Sequence, residues 1–317
     1  MSKKYLLPNT GNFYKANLHC HSTFSDGKYT VEHLKDIYKS HGYSIVAFSD
    51  HNKLVPHTEL EDSEFLPITS IEIDISDPTT VPEVITYHIN FFSKDKNRSE
   101  FVPFTRTYDI ELVNKLIKDA ADNGFLAQYN HPRWSFQTPA DFLPLENLWG
   151  FEVFNTGCEL EMIDGWGDYE YEVTCRNFYN NNKAFPAPAA NDDNHNQLDG
   201  ENQSNPKCDS YGGWTMVKAE KLDYQSVMKA LEEKNVYAST GPEIFELYSE
   251  DGKVKIKTSP CCGVALLTNN RPSSVVWSHN DDITETELAI PQGATWFRLE
   301  VIDSHRHKAM TMAYINE

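Results

Sequence analysis

Over the first two-thirds of the chain, short apolar runs alternate with stretches of helical periodicity, and from about Val236 onward the helical periodicity stops. That change of rhythm constrains the fold more than any other feature. Strands that alternate with helices build a largely parallel sheet, open or closed into a barrel, whereas short strands in succession build a sandwich. The first strand-like run, ANLHCH, leads into TVEHLKDIYKSHG, where Thr30 suits a helix N-cap and Gly42 a stop. SIVAFS, FLPITSIEI and VITYHINFF read as further strands. DIELVNKLIKDAADNG reads as a helix with Ile110, Val113, Leu116, Ile117 and Ala120 on one stripe and Gly124 closing it. FLAQYN, GFEVFN and AFPAPAAN continue the strands, a helix is expected over roughly 167–182, and DYQSVMKALEEKN supplies a last helix. The tail opens with a hairpin around Asp251-Gly252 and reads as a small β-sandwich. The division expected is residues 1–238 and 239–317.

Several of these strands end in histidines and acids. His19 and His21 close the first, Asp50 and His51 the second, and Glu72 the third, with His88 late in the fourth. Asn130 and His131 end FLAQYN, while Asp193 and His195 follow AFPAPAAN. Six of the twelve histidines thus fall where a barrel of parallel strands gathers its loops. His19 and His21 are two residues apart, so an extended strand puts both rings on one face, within reach of one ion. An H-x-H by itself says little, as His305-Arg306-His307 illustrates: no acids on neighbouring strands match it, and it reads as surface. The first pair differs because a turn carrying Asp26 follows it.

Glu72 is an acid inside an apolar strand, which is costly unless cations or strong donors face it. Asp74 shares its face, as a supporting group or simply a solvated one. A lone histidine in the place of His88 is more often a satisfied core residue than a ligand, and His131 precedes Pro132, which fits a strand end entering a loop. The DDNHN stretch admits two registers. An extended segment would aim Asp193 and His195 together and Asp192 away, so Asp193 is the preferred ligand. Arg133 is placed either to meet an anionic oxygen with its fork of donors or as an ordinary surface arginine. Asp50 is a candidate to orient a histidine or a water.

The ordered set NLHCHSTFSDG, FSDHN, SIEI, YHINFF, YNHP and NDDNH, spread over residues ~15 to ~235, resembles the PHP (polymerase and histidinol phosphatase) family. The resemblance implies a distorted seven-stranded (β/α) barrel with a small C-terminal all-β domain and up to three divalent ions: zinc, manganese or iron. Carried over by motif, one ion falls to His19, His21, Glu72 and Asp193. A second shares Glu72 and takes His88 and His131, and a third takes His51, His195 and Asp26. An aspartate at that last position is a harder ligand and shifts the third ion toward manganese or iron. The implied activity is hydrolysis of a phosphomonoester or phosphodiester by metal-activated hydroxide, with His19, His21, Glu72, His131 and Asp193 as the catalytic set. Carbamate, ester or amide hydrolysis on the same centre is the alternative, and a non-catalytic binding module with structural metals is the third reading.

Charge narrows the partners. Forty-seven acidic against 28 basic residues give a formal charge of -19, which repels nucleic acid in bulk but leaves room for a small anionic substrate beside bound cations. There is no apolar run suited to a signal peptide or a bilayer span, and the six cysteines include no C-x-x-C pair, so a cytoplasmic protein with reduced thiols is expected.

Overall fold

The computed structural model describes residues 3–82, 84–197, 204–271 and 273–316. In chain order its first part holds β1 (Lys4–Tyr5), β2 (Asn12–Cys20), α1 (Val31–Ser40), β3 (Ile45–Phe48), β4 (Leu66–Ser76) and β5 (Thr86–Ser93). There follow α2 (Ile110–Asp122), β6 (Phe125–Tyr129), α3 (Pro139–Phe142), β7 (Gly150–Asn155) and α4 (Thr156–Met162). Next come α5 (Asp168–Asn180), β8 (Ala187–Asn191), β9 (Trp214–Ala219), α6 (Tyr224–Glu232) and β10 (Val236–Ser239). The rest is strand: β11 (Ile244–Glu250), β12 (Lys253–Cys261), β13 (Gly263–Thr268), β14 (Ser274–Trp277), β15 (Ile283–Ala289), β16 (Trp296–Ile302), β17 (Lys308–Thr311) and β18 (Tyr314–Ile315).

The helices form where local chemistry favours them. Thr30 accepts a hydrogen bond from the His33 amide to start α1, and Asp109 accepts from Glu111 and Leu112 to start α2. Gly42 and Gly124 follow these helices at φ +78° and +84°, a conformation that glycine adopts without a side-chain penalty. The stripe on α2 buries Val113, Leu116, Ile117 and Ala120, at roughly 1.5–3 kcal/mol for each large side chain. The helix expected over 167–182 ends at Asn180. Two short helices, α3 and α4, stand where no helical period is visible: they run four and seven residues, too short to show one. Asn155 starts α4 by accepting from the Cys158 amide, 2.8 Å away.

The sheet is mixed. Strand β2 pairs in parallel with β3, and β3 with β4; β5 is antiparallel to both β4 and β6; β6, β7 and β8 are again parallel. The chain just past β8 returns to β2: the Asp193 amide donates to the His19 carbonyl at 2.9 Å, and the His21 amide to that of Asn194 at 3.2 Å. On its other side β2 continues through β9, β10, β17, β16, β13 and β14, so one large sheet runs into the C-terminal β region. A separate sheet has the order β1-β11-β12-β15, so the first strand of the chain joins one built otherwise from residues beyond 243. Leu247, Val254, Ile256 and Leu288 from this sheet and Val264, Leu266, Leu299 and Val301 from the large one share an apolar cluster. The hairpin at Asp251-Gly252 has both residues at positive φ, 50° and 74°, as a two-residue turn between twisted strands requires.

The main core, with Phe91, Tyr129, Phe151, Tyr171 and Phe178, also takes in Trp296 and Met310 from the C-terminal region. No helix among the described residues is long and apolar enough to cross a membrane, which says nothing of strands.

Candidate metal centre

The ends of β2 and β6, the middle of β4, the start of β5 and the segments after β3 and β8 meet around Glu72. Strand β4 runs on past Glu72 to Ser76, so Glu72 does not close its strand, and His88 comes early in β5 rather than late, because β5 begins only at Thr86. The Glu72 side chain is 1% exposed, yet its carboxylate touches five imidazoles. Oε1 lies 3.3 Å from His19 Nε2, 3.1 Å from His88 Nδ1 and 3.7 Å from His131 Nε2; Oε2 lies 3.3 Å from His21 Nε2 and 3.2 Å from His51 Nδ1. Asn130 steadies Oε1 with an amide hydrogen bond of 3.0 Å.

Asp193 is the second hub. Its Oδ1 is 3.1 Å from His19 Nε2 and 3.0 Å from His21 Nε2, and its Oδ2 is 3.5 Å from His131 Nε2. Asp193 does turn inward, but not because the segment is extended: its φ is +52°, a left-handed bend after β8. Asp192 points away and is fully used, accepting from Tyr38 Oη (2.8 Å), Thr156 Oγ1 (2.7 Å) and the Tyr211 amide (2.8 Å). Burial pushes its carboxyl up to about 6.

Asp26, half exposed, completes a third cluster at 3.5 Å from His195 Nε2, 3.7 Å from His21 Nδ1 and 3.9 Å from His51 Nε2. The described residues thus group as His19, His21, Glu72 and Asp193; as His21, Asp26, His51 and His195; as His51, Glu72 and His88; and as His19, His131 and Glu152, with donor atoms in each group within 4.8 Å of one another. The second H-x-H, His305 to His307, lies exposed on a turn, where His307 Nδ1 is 2.9 Å from Asp303.

Glu152 is the residue that sequence reading missed. It is 2% exposed on β7, with Oε1 3.0 Å from His19 Nδ1. Asn191 and Asn155 each donate to it at 2.9 Å. The signal was present, for GFEVFN holds an acid in an apolar run just as TSIEID does. Asp50 serves the loop after His21, accepting from the Ser22 amide and hydroxyl (2.8 and 2.7 Å) and from those of Ser25 (3.0 and 2.7 Å). Asp74 faces Arg106, 2.8 Å away, more than the cluster. Arg133 is half exposed and ion-paired with Asp164, and it does not line the cavity; Lys207 does.

The electrostatics favour cations. Burial works against a proton on His19 and His21, but Asp193 and Glu72 prevail, leaving His19 well above the usual imidazole range and His21 at about 9. Glu72 and Asp193, although buried, are held well below the ordinary carboxylate range by the imidazoles. A field that retains protons on histidines also retains dications.

The donor set fits metal ions. Among the described residues, His19 Nε2, both nitrogens of His21 and His51 Nδ1 are buried and face carboxylate oxygens without making a hydrogen bond of proper geometry, a condition rarely left uncompensated. Two ligand atoms about 2.05 Å from a tetrahedral ion stand about 3.3 Å apart, which is the spacing seen between Glu72 and the imidazoles. The cavity over the cluster, of about 380 Å³, is walled by Gly157, Cys158, Leu160 and Glu161 of α4 and by Trp134, Gln197, Lys207 and Asp209.

No family model and no curated protein matches the chain. Among solved structures it is similar to a two-domain protein from Bacteroides vulgatus containing a predicted PHP-like metal-dependent phosphoesterase, at 15% identity over 100% of this chain and 98% of the other, with a TM-score of 0.49. It is also similar to a putative metal-dependent phosphoesterase from Bifidobacterium adolescentis, at 16% identity over 60% of this chain and 89% of the other, TM-score 0.38. A third, an amidohydrolase from Chromobacterium violaceum, has 12% identity over 57% and 87%, TM-score 0.35.

Proposed function

We propose that this chain is a metal-dependent hydrolase of the PHP kind, a phosphoesterase before any other. The observation that supports this is the single buried carboxylate of Glu72 among five imidazoles, with Asp193 and Asp26 closing the set. His19, His21, Asp26, His51, Glu72, His88, His131, Asp193 and His195 would hold up to three ions of zinc, manganese or iron. Bound dications supply Lewis-acid polarisation of the scissile group and make water a competent nucleophile near neutral pH.

The chain's own residues do the rest. Glu152 holds the His19 ring and Asn130 the Glu72 carboxylate, so both stay aimed inward. Asp26, Glu72, Glu161, Asp193 and Asp209 around the cavity repel an anion until cations compensate them, which makes substrate entry depend on metal loading. Lys207, the one lysine or arginine among the described lining residues, is placed to meet an anionic oxygen, one of the two readings open for Arg133. The return of the chain past β8 to β2 supports reading the strands β2 to β8 as the distorted seven-stranded barrel, with residues 239–317 as the β-rich second part. A cytoplasmic location, reduced thiols and a small anionic substrate belong to the same proposal.

Protein purified without chelator is expected to carry divalent metal and to hydrolyse members of a phosphoester panel. Carbamates, lactones and amides form the comparison arms. Turnover confined to those arms would move the assignment to the same centre acting on carbon esters or amides; metal-loaded protein inert on every arm would favour a binding module.

A further inference from the structure

Beside the metal cavity lies a second cleft, of about 630 Å³ against 380 Å³, sharing His51, His88, Trp134 and Glu161 with it. Its character is different. Pro82, Val84, Trp134, Phe136 and Met162 supply an apolar lining. Phe136 is 61% exposed, Val84 45% and Trp134 37%, an unusual concentration of open apolar surface next to a charged cluster. Phe136 sits at φ +55°, and Ile163, directly after Met162, sits at φ +57° with 92% of its surface exposed. A bulky residue in the left-handed region is strained, which stability alone does not explain at an exposed position.

Trp134 is held edge-on against the imidazoles, 5.4 Å from His131 and 5.9 Å from His88 between ring centroids, with interplanar angles of 85° and 89°. Its Nε1 donates to Glu161 at 2.5 Å. The indole is therefore fixed at the junction of the two cavities. The acids of the cleft disfavour a second anion there: Asp74 is offset by Arg106, but Glu161 faces only the indole N–H among the contacts described.

We infer that the cleft receives the non-reacting part of the substrate and that this part is an uncharged aromatic group, stacked on Trp134 and Phe136 while the anionic group faces the histidines. This rests on the hydrolase reading but deepens it from an ester of any kind to an ester of an aromatic alcohol.

Two non-hydrolysable probes of matched charge, benzylphosphonate and methylphosphonate, test it by calorimetry on the manganese- or zinc-loaded protein. The benzyl compound is expected to bind roughly tenfold more tightly, the order of one aromatic contact. Trp134→Ala and, separately, Phe136→Gly are expected to erase most of that ratio, and Trp134→Phe to keep it. The glycine suits the φ of position 136, so that variant removes the ring without adding strain. Equal affinities in the wild type, no binding of the benzyl compound, or a ratio untouched by both truncations overturns the inference. Turnover is read apart, on benzyl and methyl phosphate. Absence of hydrolysis with the binding ratio intact defeats the phosphoesterase reading alone; hydrolysis without benzyl preference defeats the cleft alone.

Discussion

Glu152 holds His19 from behind: its Oε1 lies 3.0 Å from His19 Nδ1, so the Nε2 of that ring is the nitrogen turned toward Glu72 and Asp193. A carboxylate accepting from Nδ1–H fixes the tautomer with a lone pair on Nε2 and raises the ring's basicity. Glu152→Gln preserves shape but removes the charge and sets an amide against the donors Asn155 and Asn191. The variant should fold and lose about 10–100-fold in metal affinity. Competitive titration with a metal indicator measures this, and an unchanged affinity rules out the supporting role.

Glu72→Gln probes the hub itself. Removing one negative charge from among five imidazoles leaves cations without their shared partner. Metal content should fall by at least one ion per chain and turnover to background, while far-ultraviolet dichroism stays native. Full metal loading of this variant by elemental analysis contradicts the bridging assignment.

How much of this was readable beforehand follows the physics of each signal. His19, His21, His51, His131 and His195 were legible because strand ends and an H-x-H spacing are local patterns; Glu72, mid-strand on β4, was legible because an acid in an apolar run is one too. Asp193 faces the imidazoles as expected, but the expectation came from an extended geometry that the chain does not adopt, since the left-handed bend at φ +52° answers to the chain's return onto β2, a non-local constraint. Glu152 carried the same local signal as Glu72, an acid in an apolar run, but its role shows only through a partner 133 residues away. The seven-residue helix α4, which walls the cavity, is shorter than two helical turns and leaves no periodicity to find.

Chelation should lower stability as well as activity. An ion that binds only the folded chain adds about 2.7 kcal/mol at a hundredfold excess over its dissociation constant. Melting temperature should therefore drop on dialysis against a chelator and recover with added zinc or manganese. Identical melting curves with and without chelator would sink the metal centre however the activity assays turn out.

Away from the site, two lysines give the protein an alkaline signature. Burial pulls the Lys234 ammonium down to about 8, beside the Phe185 carbonyl that it bonds, and pulls Lys15 to about 8 also. Between pH 8 and roughly 10.4 the unfolded chain binds more protons at these positions than the folded one, so these groups make stability rise with pH. Below pH 8 both states hold the proton and the cost of the buried charge is complete. Lys218, also lowered by burial, acts in the same sense, while the thiols of Cys20, Cys158, Cys175 and Cys261, raised by burial, act in the opposite one. Lys234→Met is therefore expected to make the slope of stability against pH less positive in that window by the share of one proton, and to stabilise the protein at neutral pH. Urea melts at several pH values measure it; a slope unchanged in the variant refutes the assignment.

The C-terminal strands and the metal-binding part should unfold together. Tyr237 on β10 pairs with Met216 of β9 on one side and with Thr311 of β17 on the other, so one strand belongs to both parts. Trp296, fully buried, stands 5.6 Å from Phe185 between ring centroids and lies in the same apolar cluster as Phe151 and Phe178. Trp296→Ala opens a cavity there and should cost about 3–5 kcal/mol. Because the cavity forms in the shared core, the loss should appear as one calorimetric transition shifted to lower temperature, with metal release at the same midpoint. A separate early transition in the variant, with metal retained until a later one, would show that the C-terminal strands fold on their own and that Trp296 stabilises them alone.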